Sequence, residues 1–429
     1  MKDIAEKSLF DIPGGWKTLL WILVILGIGM FIAGLMTGGE ESVVRTWQAF
    51  LINTVFWGGI AHAGVIFAVI WQITDAKWGR AFKRLAEACA GFLPISFLMF
   101  MVVFFGSHVL YEWTHTPFLH HGEAVKQGWL NLPFFISRNV FWLLLIYGIS
   151  YWFIKTSIKP DIALARRLIG SEWGGKFADW VLEDYGEHET EVIRLEKLSR
   201  KIAPVLALIY AIGGSFLAWD FVMTLDQTWF STLFGVFVMI GNMHAFLGLM
   251  LVVAVTVRQK FGIEEYISIN RLHDLAKMTF AFSLLWTYMG YSQYIVIWYA
   301  DLPEETPYLI IRSMNAPWNT LFLVIILWVF VSVFIGLLPR TLCRIPNYIR
   351  LMGIWVMLGQ LLSVYIMVVP SLQHDGHYHI FMGLHELLIT LGFVGAFFLC
   401  YLAFLGKLPI LPISDLSLIH ISEPTRPAL

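Results

Sequence analysis

Ten apolar runs, each long enough to cross a lipid bilayer, constrain the fold of this chain more than any other feature. A transmembrane helix needs roughly 20 mostly apolar residues, and hydrophobic residues make up 58% of the chain against 14% charged. Strands would leave backbone groups unpaired in lipid, so the runs predict an all-α polytopic membrane protein. The first is too long for a cleavable signal peptide and lacks a small-residue cleavage site. The ten predicted spans cover residues 16–36, 47–73, 87–110, 133–155, 202–223, 230–257, 276–300, 318–338, 350–370 and 385–406.

The distribution of basic residues predicts the orientation. With the amino terminus inside, 24 of the 29 Lys and Arg residues lie in or beside inner segments, and only Arg45, Lys126 and Arg312 lie in outer ones. Basic residues concentrate in cytoplasmic loops. We therefore expect both termini, comprising residues 1–15 and the tail 407–415, to be cytoplasmic.

Acidic residues accumulate at the outer ends of the spans. Against three basic residues, they make this face net negative by eight, a field that suits a basic partner or exchangeable protons. The alternative is the same positive-inside bias seen from its other side. The eleven acids are Glu40, Glu41, Glu112, Glu123, Asp220, Asp226, Asp301, Glu304, Glu305, Asp375 and Glu386.

Short internal similarities indicate a duplicated arrangement within residues 16–406. Ala61-His62-Ala63 in the second span corresponds to Met243-His244-Ala245 in the sixth. Spans two to five and six to nine would then form two four-helix bundles related by an axis along the membrane normal. The bundles cover about 47–223 and 230–370, and spans one and ten are peripheral. The inner loop 156–201 mixes charged and apolar residues, which predicts short amphipathic helices.

The three cysteines, Cys89, Cys343 and Cys400, are isolated, with no CxxC or CxxCH motif. The chain therefore lacks a c-type haem attachment site and has too few thiolates for its own iron–sulfur cluster. We expect no cofactor or metal on this chain, so any redox centre would lie on a partner.

The last residues, 416–429, resemble the translation of a transposon-type sequencing adapter. We exclude this segment, including His420 and Glu423, from functional reasoning.

Ionisable residues inside predicted spans are the first candidates for function. His62 and His244 lie near mid-span, and Arg138 lies one turn inside the fourth span. Such residues usually face a bundle interior or a water-filled cavity, and histidine can relay protons near neutral pH. Neutral histidines that only bridge helices, and an Arg138 that reaches outward to the interface, are the structural alternatives. A single bis-histidine b haem is compatible with the spacing, whereas a two-haem cytochrome b would need paired histidines on each of two spans.

A second group of candidates lies at the outer ends. The turn between the fifth and sixth spans carries Asp220 and Asp226 with no basic residue nearby in sequence. His108 and Glu112 are four residues apart, which would place them on one helix face. Together with polar groups of the seventh span, Tyr288 and Ser292, they predict a chain of titratable or hydrogen-bonding groups between the mid-membrane histidines and the outer water.

Two stretches resemble the F-type membrane subunit of bacterial alternative complex III, a quinol:cytochrome c oxidoreductase. The first runs from Trp219-Asp220-Phe221 through Trp229-Phe230-Ser231 to Gly235, and the second from Phe282-Ser283-Leu284 to Glu304-Glu305-Thr306. Where Pro-His often precedes the tryptophan in that family, this chain has Gln227-Thr228. The departure removes one titratable group from the turn.

The resemblance implies a polysulphide-reductase-like (NrfD-like) fold and an accessory subunit that carries no redox group. It implies a sister NrfD-like membrane subunit, an iron–sulfur subunit and multihaem cytochrome c subunits as partners, with haem c and iron–sulfur clusters on those partners. In that family the quinol-oxidising site is assigned to the sister subunit, and the F-type subunit is proposed to assist energy transduction by a proton path. The expected environment is the lipid bilayer, and no nucleic acid is expected to bind.

Three alternatives stay open. A quinol-binding membrane subunit would use His62 or His244 to accept a quinol proton. A scaffold would use its polar residues only to tie helices together. A secondary transporter is disfavoured, because paired Gly/Pro-broken spans are not found at matching positions.

Overall fold

The computed structural model describes residues 11–37, 39–116, 119–120, 123–124, 126–373 and 379–414. The adapter-like segment 416–429, Asp375 and residues 1–10 lie outside this part of the chain. Within it, nine helices are long and apolar enough to cross a membrane. The protein is an all-α polytopic membrane protein, as the apolar runs predict.

Most helices match the predicted spans to within a few residues, whereas those of the second, fourth, fifth and seventh spans extend 7 to 14 residues beyond one predicted end. The α-helices are Gly14–Thr37, Glu40–Thr74, Lys83–Glu87, Leu93–Phe105, Ser107–Leu110, Leu132–Ile169, Gly175–Val181, His188–Phe221, Phe234–Phe261, Ile269–Ala300, Thr306–Ser313, Trp318–Ile325, Val333–Leu337, Pro346–Val368 and Leu384–Leu405. Short 3₁₀ turns cover Lys77–Phe82, Ala88–Phe92, Glu112–Thr114, Met223–Leu225, Leu342–Arg344 and Val369–Leu372, and a π-helical stretch covers Ile326–Ser332. Two-residue strands, Leu119–His120 and Glu123–Ala124, pair antiparallel in one loop.

The predicted seventh span, 276–300, is helical but is the least apolar of the ten. It lies in the helix Ile269–Ala300, whose 32 residues extend about 48 Å at 1.5 Å per residue. This helix is not among the nine that satisfy both length and composition. Polar groups such as Thr287, Ser292 and Gln293 lower its mean hydropathy, and its length alone suffices to cross a bilayer.

The same order of helix neighbours occurs twice. Spans two, three, four and five form a ring in which each span contacts the next and the fifth returns to the second. Spans six to nine form an equivalent ring, with the ninth returning to the sixth. The rings meet through the second and sixth spans, and further contacts join the fifth span to the sixth and the ninth to the second. These reciprocal contacts fit the predicted pair of four-helix bundles.

Small residues set the closest approaches between spans. A Cβ atom at Gly353 of the ninth span would lie within 3.0 Å of the sixth span, against the Gly248 carbonyl and Leu251. Helices in lipid gain little from the hydrophobic effect, so their association depends on such close packing. The sixth and ninth spans are therefore locked together by glycine on both sides.

The first and tenth spans pack against each other at the edge of the molecule. Gly27 and Gly392 meet there at backbone distance, and Gly34 lies beside His385. This antiparallel pairing puts the start of the first span and the end of the tenth on one face. We call that face proximal and the opposite one distal.

The proximal loop 156–201 differs from the prediction of short amphipathic helices. One short helix, Gly175–Val181, is present, but most of the loop continues the long helices of the fourth and fifth spans. The predicted tail is also structured up to residue 414. Leu408, Ile410 and Leu411 are buried, so this segment packs back onto the protein instead of extending from it.

Candidate functional site

His62 lies at the centre of the first bundle. Its ring is buried and meets Tyr147 edge-on at 4.9 Å and Tyr210 at 5.9 Å between ring centroids. The aromatic rings from the fourth and fifth spans fix the imidazole plane. Its Nε2 atom has no hydrogen-bond partner among the described residues. A buried, unpaired imidazole nitrogen is costly unless water or a ligand satisfies it.

A cavity of about 40 Å³ adjoins His62. Tyr210 and Asn242 line it beside the histidine, and Phe221 and Val222 line it toward the distal face. Tyr210 and Phe221 are eleven residues apart on one helix, which corresponds to about 16 Å. A water needs about 10–15 Å³ of such space, so the cavity has room for roughly three. Its lining residues extend from mid-span to the neighbourhood of the distal turn.

His244 occupies the corresponding position in the second bundle but has a different environment. Gln360 of the ninth span lies with its Nε2 2.8 Å from His244 Nδ1. The amide donates to the ring, which leaves the proton of the neutral imidazole on Nε2. No described residue accepts from that atom. This histidine therefore bridges two helices, as the structural alternative predicts, with one ring nitrogen left over.

Asp220 and Arg138 form a buried ion pair at the distal end of the first bundle. Arg138 donates from Nε to Oδ2 at 2.5 Å and from Nη2 to Oδ1 at 2.7 Å. Asn139 Nδ2 adds a third bond at 2.8 Å, and the remaining Arg138 nitrogen donates to the Trp129 carbonyl at 2.7 Å. Asp220 thus has no basic residue nearby in sequence, but Arg138 lies beside it in the fold. Arg138 points inward to Asp220 and does not extend to the interface.

Tyr111, just beyond the distal end of the third span, completes this cluster. Its hydroxyl donates to the Phe221 carbonyl at 3.1 Å. Burial, with a contribution from the Asp220 charge, raises the pKa of Tyr111 well above its ordinary value, so the phenol remains a donor. The ends of spans three, four and five are thereby joined by polar contacts. The arrangement fixes the Asp220 carboxylate in place among three donor nitrogens of Arg138 and Asn139.

Asp226 organises the turn that follows. Its Oδ1 accepts from the Thr228 amide at 3.0 Å, from the Thr228 hydroxyl at 2.7 Å and from the Trp229 amide at 3.3 Å. These are the bonds of an Asx turn. Thr228 therefore has a structural role in this loop.

The shared helix face predicted for His108 and Glu112 is not present. The helix ends at Leu110, and Tyr111 is extended, with φ −117° and ψ 107°. Glu112 starts a separate 3₁₀ turn, and both side chains are exposed. The His108 carbonyl instead accepts from His115 Nε2 at 2.8 Å. The apolar run also ends at residue 110, but it does not show whether the helix continues to Glu112.

Tyr288 and Ser292 lie away from both histidines. Tyr288 is 63% exposed, and the Ser292 hydroxyl donates to its carbonyl at 2.8 Å. They belong to an outward face of the seventh span with Tyr291, Trp298 and Tyr299, all exposed. The structure thus brings Asp220 and Arg138 together and leaves these two outside the cluster.

Sequence reasoning missed a buried charged cluster at the proximal end of the first bundle. Arg84 lies between Glu87 and Asp161, and Ser157 donates to Glu87 at 2.6 Å. Ser414 of the tail donates its amide to Asp161 at 2.8 Å. The spacing of Arg84 and Glu87 was a readable signal, because residues three apart share a helix face. It was obscured because both lie at the edge of an apolar run.

A second missed residue is Arg312, which is buried just before the eighth span. It donates to the carbonyls of Ile366 and Met367 at 3.0 Å each and to Ser371 at 2.6 Å. These groups lie at the carboxyl end of the ninth span, where the helix dipole favours a cation. Arg312, just before the eighth span, thus binds the distal end of the ninth span, as Arg138, near the start of the fourth, binds the distal end of the fifth.

Among the described residues, no group of three or more His, Cys, Asp and Glu side chains could hold a metal ion. His62 contacts aromatic rings of the fourth and fifth spans, whereas His244 bonds to the ninth. No protein-family model matches the chain, and no curated protein matches it significantly.

Proposed function

We propose that this chain is an accessory, cofactor-free integral subunit of a membrane quinol:cytochrome c oxidoreductase resembling alternative complex III. It resides in the bacterial inner membrane with its termini in the cytoplasm and serves a respiratory electron-transport chain. Its partners are a sister NrfD-like membrane subunit, an iron–sulfur subunit and multihaem cytochrome c subunits, which carry the redox groups. The two motifs at 219–235 and 282–306 support this assignment, and ten spans in two rings are compatible with it.

The observation that carries a role in proton translocation is His62 beside its cavity. A buried imidazole with an unpaired nitrogen, next to space for water, is suited to binding and releasing a proton. The cavity leads along the fifth span toward Phe221, whose carbonyl is held by Tyr111. Protons would move between His62 and the distal end through water in this space.

Asp220 has a different role in this proposal. It is held in its pair with Arg138, and the pair shapes the distal end of the path without carrying the proton. Quinol oxidation elsewhere in the complex would change the electrostatic or conformational state of the first bundle and so the proton affinity of His62.

A scaffold role is the second candidate. The His244–Gln360 bond and the Arg138–Asp220 pair support it, since both tie neighbouring spans together. In that case His62 would bind a static water and no net proton transfer would depend on it.

Purification of the tagged native chain from its own membranes tests the assignment itself. We expect covalently bound haem, iron–sulfur protein and a second polytopic subunit in stoichiometric amounts, with quinol:cytochrome c reductase activity. Purification of the chain alone, or with a complex that contains no c-type haem, would contradict the assignment.

The proton role is tested by His62→Gln in the complex reconstituted in liposomes. The matched control is His115→Gln, the same change at an exposed histidine. We expect wild-type electron transfer with reduced proton release per electron for His62→Gln and no change for the control. Unchanged proton release in an assembled His62→Gln complex would favour the scaffold.

A further inference from the structure

A side chain of the second bundle contributes to the polar wall of the His62 cavity. Asn242 lies on the sixth span and lines the cavity together with His62 and Tyr210 of the first bundle. The Tyr210 hydroxyl and the Asn242 amide are joined by a side-chain hydrogen bond. The Tyr210 ring meets the His62 ring at 5.9 Å between centroids. A residue of the second bundle is therefore linked through one tyrosine to the histidine of the first.

A glycine on the second span makes room for this side chain. A Cβ atom at Gly59 would lie well inside van der Waals contact of Asn242 Oδ1 and Cγ. Gly59 and His62 are three residues apart, so they share a helix face. The Asn242 amide thus packs onto the second span about one turn from the imidazole, and a larger residue at position 59 would displace it.

The same turn of the sixth span is held by the second bundle on its other side. His244, two residues after Asn242, is bonded to Gln360 of the ninth span at 2.8 Å. A Cβ atom at Gly241 would lie 3.3 Å from Gln360 Oε1 and 3.4 Å from Trp286 Nε1 of the seventh span. This turn therefore contacts both bundles, and a shift of the ninth span against the second would move the Asn242 amide.

The other surroundings of His62 make Tyr210 the hydroxyl group that faces the cavity. Tyr147 and Tyr210, from the fourth and fifth spans, are the titratable side chains that meet the His62 ring. The Tyr147 hydroxyl is bonded to Ser96 of the third span at 2.9 Å. Of the two phenols, only Tyr210 lines the cavity, and no described residue that lines it carries a formal charge besides the titratable His62.

We propose that Asn242 is a positioning residue of the His62 site and makes the proton affinity of His62 depend on the arrangement of the second bundle. Its amide holds the Tyr210 hydroxyl at the cavity. That hydroxyl is both a donor and an acceptor, and it orders the water that solvates a charged imidazole. The inference rests on the proposed proton role of His62, and Asn242 itself carries no proton.

The test measures the protonation of His62 in the full chain in lipid nanodiscs, without partner subunits or turnover. Isotopically labelled histidine rings are followed by NMR as the pH is varied, and the His62 signal is the one that His62→Gln removes. We expect Asn242→Leu, which replaces the amide by an apolar group of similar size, to lower the proton affinity of His62 by about tenfold, the effect of one hydrogen bond. Tyr210→Phe removes only the hydroxyl and should have an equal effect. The double variant should lower the affinity no further, because both changes break the same bond.

Gly59→Ala is a variant that keeps both polar groups. It should displace the amide and shift the His62 titration in the same direction, whereas Gly148→Ala, at a position with nothing within 4 Å, should leave it unchanged. Thermal melting shows which variants are folded, and Tyr210→Phe and Gly59→Ala keep the test available if Asn242→Leu is not.

An unchanged His62 titration in folded Asn242→Leu, Tyr210→Phe or Gly59→Ala, or additive shifts in the double variant, would overturn the inference and leave the proton role of His62 intact. If His62 does not titrate in the wild type while the protein stays folded, the proton role itself is refuted and the inference with it.

Discussion

The Arg138–Asp220 pair gives a stability prediction with a defined asymmetry. Both side chains are buried, at 7% and 0% exposure. Removing one member of such a pair costs about 3–5 kcal/mol, because the other charge stays buried without its partner. We expect both Asp220→Leu and Arg138→Met to lower the free energy of unfolding by amounts in this range.

The two losses should differ. After Asp220→Leu, Arg138 keeps the Trp129 carbonyl and its position 4.1 Å above the Trp129 ring, a contact that contributes about 0.5–2 kcal/mol. After Arg138→Met, Asp220 keeps the bond from Asn139 and a side-chain hydrogen bond with Trp129. A buried carboxyl group can also take up a proton and lose its charge, which a guanidinium cannot do. Asp220→Leu should therefore be the more destabilising change. The double variant removes both charges and should lie within about 2 kcal/mol of wild type.

Equilibrium unfolding in mixed detergent micelles, followed for all four proteins, measures these terms as a double-mutant cycle. The matched control is Arg166–Asp179, the same residue types at 2.7 Å with the aspartate side chain 67% exposed. Its coupling should stay below about 1 kcal/mol. Additive losses in the buried pair, with the double variant the least stable, would refute the reasoning.

Two further predictions concern helix contacts. Gly353→Val forces a side chain into the Gly248 backbone and should lower the free energy of unfolding by about 1–3 kcal/mol, measured by thermal melting. The control Gly29→Val, at a position with nothing within 4 Å, should have no effect in the same assay. Equal melting points for the two variants would contradict the packing argument. Arg312→Met removes the donor to the carbonyl groups at the end of the ninth span and should accelerate proteolysis of the distal loops. The control Arg340→Met, in an exposed loop, should not. Equal proteolysis rates for the two variants would contradict a stabilising role of Arg312 at this helix end.

The number and order of the spans were predictable from sequence because they depend on local composition. A run of apolar residues marks the part of a helix that lies in lipid, whatever its neighbours are. The same reasoning does not predict where helices end outside the lipid. The helix of the fourth span continues to Ile169 and that of the fifth begins at His188. Hydropathy does not predict these extensions, because they consist of charged helical turns in water.

The candidate site was only partly predictable, because its geometry depends on contacts distant in sequence. Arg138 and Asp220 are 82 positions apart, and pairing them requires the relative rotation of two helices. His62 and Asp220 could be selected as buried titratable groups. His62 Nε2 has no partner among the described residues, whereas Asp220 is paired. Both outcomes depend on which side chains the neighbouring spans provide.

The near-complete enclosure of the second span has a consequence for biogenesis. In its apolar 18-residue window, 94% of the residues are buried inside the protein, against 17% in that of the first span. Its neighbours include the sixth, ninth and tenth spans, which the ribosome makes after the whole first bundle. Until the tenth span emerges, Asn53, whose amide donates to Thr390 of that span, would face lipid or the insertion machinery. The second span reaches its final surroundings only after the tenth span has been made, so a chain truncated after the first bundle would expose Asn53 and invite degradation by membrane quality control.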